Sequence, residues 1–174
     1  MRPIVSVYIA ISIDGYIARD DGALDWLEGV QDAGGDDYGY ANFMSTIDAV
    51  VLGRETYDSV RTFDMWPFTG RRVVVLTNRP LVPAFGEVAY AGALHPLMVQ
   101  LAADGVQRVY LDGGATIRQG LDEALVDDMT LSIVPVLLGS GRPLFTRGLP
   151  GSEWSMTGAR GHPTGLVQVR YQRI

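Results

Sequence analysis

Continuous apolar runs, without alternation of apolar and polar residues, dominate the first two thirds of the chain. They lie at residues 4–13, 49–52 and 72–76, and RVYLD at 108–112 and DMTLSIVPVLLG at 128–139 continue the series. A strand that is apolar along its whole length is typical of a parallel sheet covered on both faces. Pro135 in the last run favours an edge strand or a bulge, because proline cannot donate a hydrogen bond to a sheet.

Segments with helical periodicity separate these runs. In 94–103, four apolar residues at helical spacing would form one buried face, namely Leu94, Leu97, Met98 and Leu101. Further helices are predicted at 37–46, 55–61 and 115–125. Strands that alternate with helices in this way predict an α/β fold with a mostly parallel sheet.

The last segment of the chain has a different pattern. Residues 153–174 alternate apolar and polar positions around a turn that contains glycine and proline. This pattern is typical of an antiparallel hairpin, which we expect at the edge of the sheet.

Two long irregular segments, 19–37 and 62–70, interrupt the regular pattern. Loops of this length in a compact domain are often functional, so both are candidate walls of a substrate site. Trp26 within the first of them suggests that this loop packs as a lid.

Composition restricts the chemistry. The 174 residues, 47% of them hydrophobic and 20% charged, predict one globular domain spanning 1–174. The net charge of -6 argues against a nucleic-acid partner. There is no cysteine, and all fourteen basic residues are arginine, so Schiff-base chemistry through a lysine is excluded.

No metal, membrane or secretion signal stands out. Neither histidine has a plausible metal or triad partner, so no metal site is predicted. The apolar start is too short and too β-branched for a membrane span, and it lacks the basic start and cleavage site of a signal peptide. We expect a cytoplasmic protein.

Gly53 and Arg54 form the first of three junctions between a strand and a helix or turn that carry candidate chemistry. A helix start presents free backbone amides to an anion, glycine permits close approach, and Arg54 adds a phosphate donor. The alternative is a simple turn in which Thr56 assists capping and Arg54 is a surface charge. The motif alone does not decide between them.

Thr77, Asn78 and Arg79 form the second junction. Ligands of open α/β sheets bind outside the carboxyl ends of the strands, where these donors would meet a phosphate. Taken alone, the segment is better explained as a polar turn that ends at Pro80.

Gly113 and Gly114 form the third junction, between a buried strand and a helix that Thr116 can cap. Two residues without Cβ atoms allow the backbone to approach a ligand closely. A Gly-Gly pair is by itself more often a turn, and the G-x-G-x-x-G fingerprint is missing.

Asp14, after the first strand, is either a carboxylate in a cleft or the start of an Asx-turn.

Five segments together resemble the dihydrofolate reductase superfamily, and most closely its branch with the RibD C-terminal reductase domain of riboflavin biosynthesis. They are SIDGYIA at 12–18, VVLGRETYDS at 50–59, VVLTNR at 74–79, LDGGATI at 111–117 and LVDDMTLSIVPVLLGSG at 125–141. The resemblance covers nearly the whole chain. It implies a three-layer α/β/α fold with a central mixed, mostly parallel sheet and a C-terminal antiparallel hairpin.

The resemblance also implies NADPH as the hydride donor. Arg54, Thr77, Asn78 and Arg79 would hold its 2′-phosphate. Gly53, Thr56 and the helix start at Gly113, Gly114, Ala115, Thr116 and Ile117 would hold the pyrophosphate, and Ala10 and Ile17 would line the nicotinamide. The Gly113–Gly114 bond is commonly cis in this superfamily, so we predict a cis peptide there.

The implied activity is reduction of a small heterocyclic substrate that is pterin-like or ribosylaminopyrimidine-like. Asp14 is the first candidate for a catalytic, substrate-facing carboxylate. A second carboxylate is expected on the next helix, where Asp36 or Asp37 lies nearest. The alternative is an NADPH-binding or sensing protein of the same fold that does not catalyse a reduction. A homodimer is expected by resemblance, with a small molecule as the other partner.

Overall fold

The computed structural model describes residues 1–30 and 35–174. A central sheet of eight strands has the order β5-β4-β3-β6-β1-β7-β10-β9, and β2 and β8 form a separate antiparallel pair. The strands are β1 (Ile4–Ser12), β2 (Tyr16–Ala18), β3 (Ala49–Gly53), β4 (Arg72–Leu76), β5 (Val88–Tyr90), β6 (Arg108–Asp112), β7 (Asp128–Val134), β8 (Arg142–Pro143), β9 (Trp154–Gly161) and β10 (Val167–Arg173). The helices are a 3₁₀ helix (Asp25–Val30), α1 (Tyr40–Ser45), α2 (Arg54–Val60), α3 (Leu94–Ala103) and α4 (Gly114–Asp122).

The sheet is parallel from β5 to β7, while β10 pairs antiparallel with both β7 and β9. The mixed, mostly parallel sheet with a terminal hairpin is therefore confirmed, and β9 lies at the edge. β5 forms the other edge.

Helices cover both faces, which confirms the three-layer prediction. Val5, Val7 and Val109 pack with α3 and α4 in one core. On the opposite face, Val50 and Tyr110 pack with α1, α2 and Phe68. Burial on both faces explains why these strands are apolar along their length.

Several element ends differ from the prediction for local reasons. α1 begins at Tyr40 and not at residue 37, because Asp37 accepts hydrogen bonds from the backbone of Gly39 and Ala41 and Gly39 has φ of 87°. β7 ends at Val134, directly before Pro135. Since β7 lies inside the sheet, the proline terminates an interior strand, and the edge or bulge predicted for it was wrong.

The sequence pattern missed the short elements β2, β5, β8 and the 3₁₀ helix. Each is two to six residues long, too short to show a period. Of the loop predicted at 19–37, residues 31–34 lie outside the described part. Over the residues that the structure describes, no helix has both the length and the apolar character needed to cross a membrane.

Candidate active site

A cleft of about 760 Å³ lies at the carboxyl ends of β4, β3, β6 and β1. Parallel strands end at the same edge of a sheet, so the three strand-end junctions identified in the sequence meet there. Its walls include nearly all the predicted cofactor residues: Ala10, Ile17, Gly53, Arg54, Thr56, Thr77, Asn78, Arg79, Gly113, Gly114, Ala115 and Thr116. Ile117 is the exception. Its side chain is fully buried in the core under α4, and its N–H already donates to Gly113.

The Gly113–Gly114 bond is trans, so the predicted cis peptide was wrong. Gly113 turns the chain into α4 with φ of 86°, a left-handed conformation that glycine adopts without a steric penalty. A Cβ at Gly113 would overlap the Thr56 hydroxyl, and one at Gly114 would overlap the Ile17 side chain. A side chain at either glycine would displace neighbouring side chains at the cleft floor.

The start of α4 carries polar groups without partners. Gly113, at the N-cap, provides no side-chain cap, and the first N–H groups of a helix have no partner within it. Thr116 is 2% exposed, and its hydroxyl has no hydrogen-bond partner among the described residues. A Cβ at Gly53 would lie 3.3 Å from that hydroxyl. The cleft floor is thus a concave surface of free donors that suits an anion.

Arg54 and Arg79 also line the cleft, and they share one carboxylate, that of Asp58. Arg54 Nε donates to both oxygens of Asp58 at 2.9 Å, and its Nη1 donates to the Pro80 carbonyl at 2.9 Å. Arg79 is more loosely held, with Nη2 4.0 Å from Asp58. The Thr77 hydroxyl accepts a hydrogen bond from Arg79 N at 3.0 Å, which orders this turn.

Asp112 is a cleft residue that the sequence reasoning missed. It ends β6, and its carboxylate accepts a hydrogen bond from Gly113 N at 2.9 Å. Burial raises the pKa of this carboxyl. A carboxyl group that holds its proton more tightly than usual is suited to proton transfer. The position of Asp112 directly before Gly113 and Gly114 was the sequence feature that could have identified it as a cleft residue.

The sequence reasoning also missed other cleft residues, which lie on strands, in loops and on helices. They are Ile9, Ala18, Gly22, Leu27, Glu55, Ser59, Val60, Phe63, Leu76, Arg118, Gln119 and Arg142. Phe63 belongs to the irregular segment 62–70, and Leu24 and Leu27 belong to 19–37. Both predicted loop walls therefore contribute to the cleft.

Trp26 lies on the 3₁₀ helix and is buried against Val30, Val134 and Leu166. Ala10 and Leu27, which both line the cleft, pack against this cluster. The loop is therefore anchored to the core by the tryptophan while its leucines face the cleft.

Asp14 does not line the cleft. Its carboxylate accepts hydrogen bonds from the Ser12 hydroxyl at 2.6 Å, from Leu138 N at 3.1 Å and from Gly139 N at 2.7 Å. The bond from Ser12 is the main reason that the pKa of Asp14 falls to about 2. The geometry gives Asp14 a role in holding the 138–139 backbone, and its contact with substrate stays a prediction.

Asp37 is also outside the cleft lining. Its carboxylate accepts hydrogen bonds from Ala41 N at 2.7 Å and Gly39 N at 2.8 Å, and these bonds lower its pKa. Asp36 accepts one from Tyr38 N at 2.8 Å and lies 3.3 Å from His162 Nδ1. Both aspartates thus order the entry to α1, and the catalytic role of Asp37 stays a prediction.

Comparison with known proteins identifies the family. The model of the RibD C-terminal domain matches residues 3–167. The chain belongs to this family.

Individual relatives agree with the family match. The chain is 33% identical over 142 residues to YwjB, an uncharacterized protein of Bacillus subtilis (strain 168), and the match covers 80% of each protein. The crystal structure of a protein from Shewanella sp. PV-4 provisionally assigned to riboflavin biosynthesis has a TM-score of 0.91 and 35% identity, covering 100% of this chain and 99% of that one.

A third relative is the riboflavin biosynthesis protein RibD of Corynebacterium ammoniagenes, which is 29% identical over 157 residues. That match covers 80% of this chain and 45% of RibD. The RibD C-terminal fold is a dihydrofolate reductase-like α/β fold, as the resemblance implied.

Proposed function

We propose that this protein is an NADPH-dependent reductase of a small heterocyclic substrate, either pterin-like or ribosylaminopyrimidine-like. The observation that carries the proposal is the unpartnered, buried Thr116 hydroxyl beside the free start of α4, in the cleft where the three strand-end junctions meet. Membership of the RibD C-terminal family supports a reductase.

The residues present fit a dinucleotide with an additional phosphate. Gly53, Gly113 and Gly114 allow Thr116, Thr56 and Ile17 to pack closely at the cleft floor. Pyrophosphate oxygens would accept hydrogen bonds from the α4 amides and Thr116. Arg54 and Arg79, with Thr77 and Asn78, would hold the 2′-phosphate, and Asp58 would keep the two guanidinium groups in position.

Ala10 and Ile17 would line the nicotinamide at the β1 end of the cleft. NADPH supplies the hydride when it is bound. The chain's own contribution is orientation and the exclusion of water by Leu24 and Leu27. We propose that the Asp112 carboxyl oxygen holds the proton for the substrate's nitrogen or oxygen, because its raised pKa keeps it protonated over a wider pH range than an ordinary carboxyl.

A second candidate function is that of an NADPH-binding or sensing protein that does not catalyse a reduction. The observation that favours it is that Asp14 and Asp37, the carboxylates predicted to face substrate, are both engaged with backbone amides outside the cleft lining.

The test is stopped-flow oxidation of bound NADPH by a panel of dihydrofolate, pterins and ribosylaminopyrimidines. We expect oxidation by at least one compound. Tight NADPH binding without oxidation by any compound would favour the sensing protein, and absence of NADPH binding would contradict both candidates.

The homodimer, which rests on the resemblance, and the cytoplasmic location, which rests on the sequence pattern, both stay proposals. The edge strand β9 and the exposed Met156 and Val167 of the hairpin are the surface we propose for the dimer. Light scattering on the purified protein tests whether it is a homodimer.

A further inference from the structure

Arg142 connects the two sides of the cleft. It lies on β8, and its Nη1 donates to Glu55 Oε2 on α2 at 2.9 Å. Its guanidinium also covers Gly22, where a Cβ would lie 3.3 Å away. All three residues line the cleft. Arg142 therefore links the 19–24 loop to α2 across the opening.

The backbone that carries Arg142 is firmly held. We call residues 138–144 the β8 segment. Asp14 accepts hydrogen bonds from its first two amides, the Ser140 hydroxyl donates to Asp20 at 2.7 Å, and Leu144 N donates to the Gly15 carbonyl at 2.9 Å. β8 also pairs with β2. The base of the Arg142 side chain is thus fixed at the cleft.

The ion pair itself is weakly held. The side chain of Arg142 is 44% exposed and that of Glu55 is 80% exposed. An ion pair with this exposure contributes little to stability, because water screens it and two long side chains must be ordered. The guanidinium can therefore exchange Glu55 for another anion at small cost.

A second arginine lies next to the start of α4. Arg118 Nη1 donates to the Pro143 carbonyl at 2.6 Å and would lie 2.9 Å from a Cβ at Gly114. Arg118 therefore ties β8 to the same helix start that carries the unpartnered Thr116 hydroxyl. This cluster is separate from Arg54 and Arg79, which interact with Asp58.

We propose that Arg142 binds the pyrophosphate of the nicotinamide cofactor, with Glu55 as a competing anion that occupies the guanidinium until the cofactor arrives. Arg118 holds β8 beside the helix start, so Arg142 would add a guanidinium to the phosphate site that the α4 amides form. The inference rests on the proposed cofactor binding. It adds a residue that contacts NADPH and NADH equally, unlike Arg54 and Arg79.

Fluorescence titration with NADPH and with NADH tests this on the full chain, without any substrate. Loss of a charge-assisted hydrogen bond in Arg142→Gln should weaken both cofactors by a similar factor of about ten. Glu55→Gln should tighten both, since it removes the competing carboxylate and its repulsion of the phosphates. The gain from Glu55→Gln should be smaller when Arg142→Gln is also present.

Two exposed residues outside the cleft lining provide matched controls. Arg147→Gln and Glu153→Gln make the same charge changes and should leave both affinities unaltered. Thermal unfolding of each variant checks that the fold is intact.

The outcomes separate this inference from the proposed function. If wild type binds NADPH and Arg142→Gln behaves as Arg147→Gln does, the inference is wrong and the proposed function stands. A loss confined to NADPH would also overturn it, since that would place Arg142 at the 2′-phosphate. Failure of wild type to bind either cofactor would overturn both.

Discussion

Gly113 has a backbone conformation and a neighbour that both exclude a side chain. Its φ is 86°, and a Cβ there would overlap the Thr56 hydroxyl. We expect Gly113→Ala to lower the free energy of unfolding by about 2 to 3 kcal/mol, from left-handed strain together with the overlap. Denaturant unfolding measures this loss.

Gly151→Ala is the matched control, because nothing lies within 4 Å of a Cβ at Gly151. Equal stability of the two variants would contradict the packing argument at Gly113.

Arg54 and Arg79 should determine the choice of cofactor. Removing a guanidinium that holds the 2′-phosphate should weaken NADPH by about tenfold or more in Arg54→Ala, and somewhat less in the exposed Arg79→Ala, with little effect on NADH. Titration of both cofactors checks this. Equal losses for NADPH and NADH would show that the 2′-phosphate is not held there.

Asp112 should matter for turnover more than for binding. Asp112→Asn keeps the size of the side chain and removes the group that carries the proton. We expect kcat to fall by about a hundredfold, at the lower end of the range for general acid catalysis, while NADPH affinity stays within a few fold. Steady-state kinetics over a pH series measures this, and unchanged kcat would exclude Asp112 as the proton donor.

At the scale of elements, Asp14 joins the end of β1 to the β8 segment. The pKa of Asp14 is lowered from its ordinary value near 3.8 to about 2, so its ionised form stabilises the fold. This stabilisation is present above about pH 4 and is lost as the pH falls towards 2.

Asp14→Asn should therefore be less stable than wild type at neutral pH, with a difference that shrinks between about pH 4 and pH 2. Chemical denaturation at several pH values tests this, with Asp122→Asn, an exposed change at the end of α4, as control. A difference that does not change with pH would mean that ionisation of Asp14 does not support the β8 segment.

Elements with an apolar or periodic pattern were predictable, and elements without such a pattern were not. The bounds of β4, α3 and β6 match the prediction, because each is an apolar or periodic run with clear ends. β2 and β8 have no pattern of their own. They pair where Asp14 and Gly15 bind the backbone of the 138–144 segment, far away in the chain.

At the scale of the whole molecule, the cleft exists because four parallel strands end at one edge of the sheet. A ligand that binds only the folded chain stabilises all of it. At about 100 times its Kd, NADPH should add about 2.7 kcal/mol, which for a chain of this size raises the Tm by about 5 to 10 °C.

Calorimetry with and without NADPH measures this rise and also tests whether 1–174 behaves as one domain. A single transition is expected. Two separate transitions would contradict the one-domain prediction, and an unchanged Tm would contradict NADPH binding.

The α/β fold and the strand ends that carry donors were predictable from the residue pattern alone. Apolar runs specify buried strands, and glycine, threonine and arginine were visible at the junctions that meet in the cleft. These are local properties that follow from neighbouring residues along the chain.

The contacts between charged groups at the cleft depend on the packing of distant segments. Asp14 binds the backbone of the β8 segment, Asp112 is a partly exposed carboxyl that lines the cleft, and Arg142 pairs with Glu55, which lies 87 positions earlier in the chain. The Gly113–Gly114 bond is trans, and Gly113 makes the turn with a positive φ. Such pairings depend on how distant segments pack, which no local pattern records.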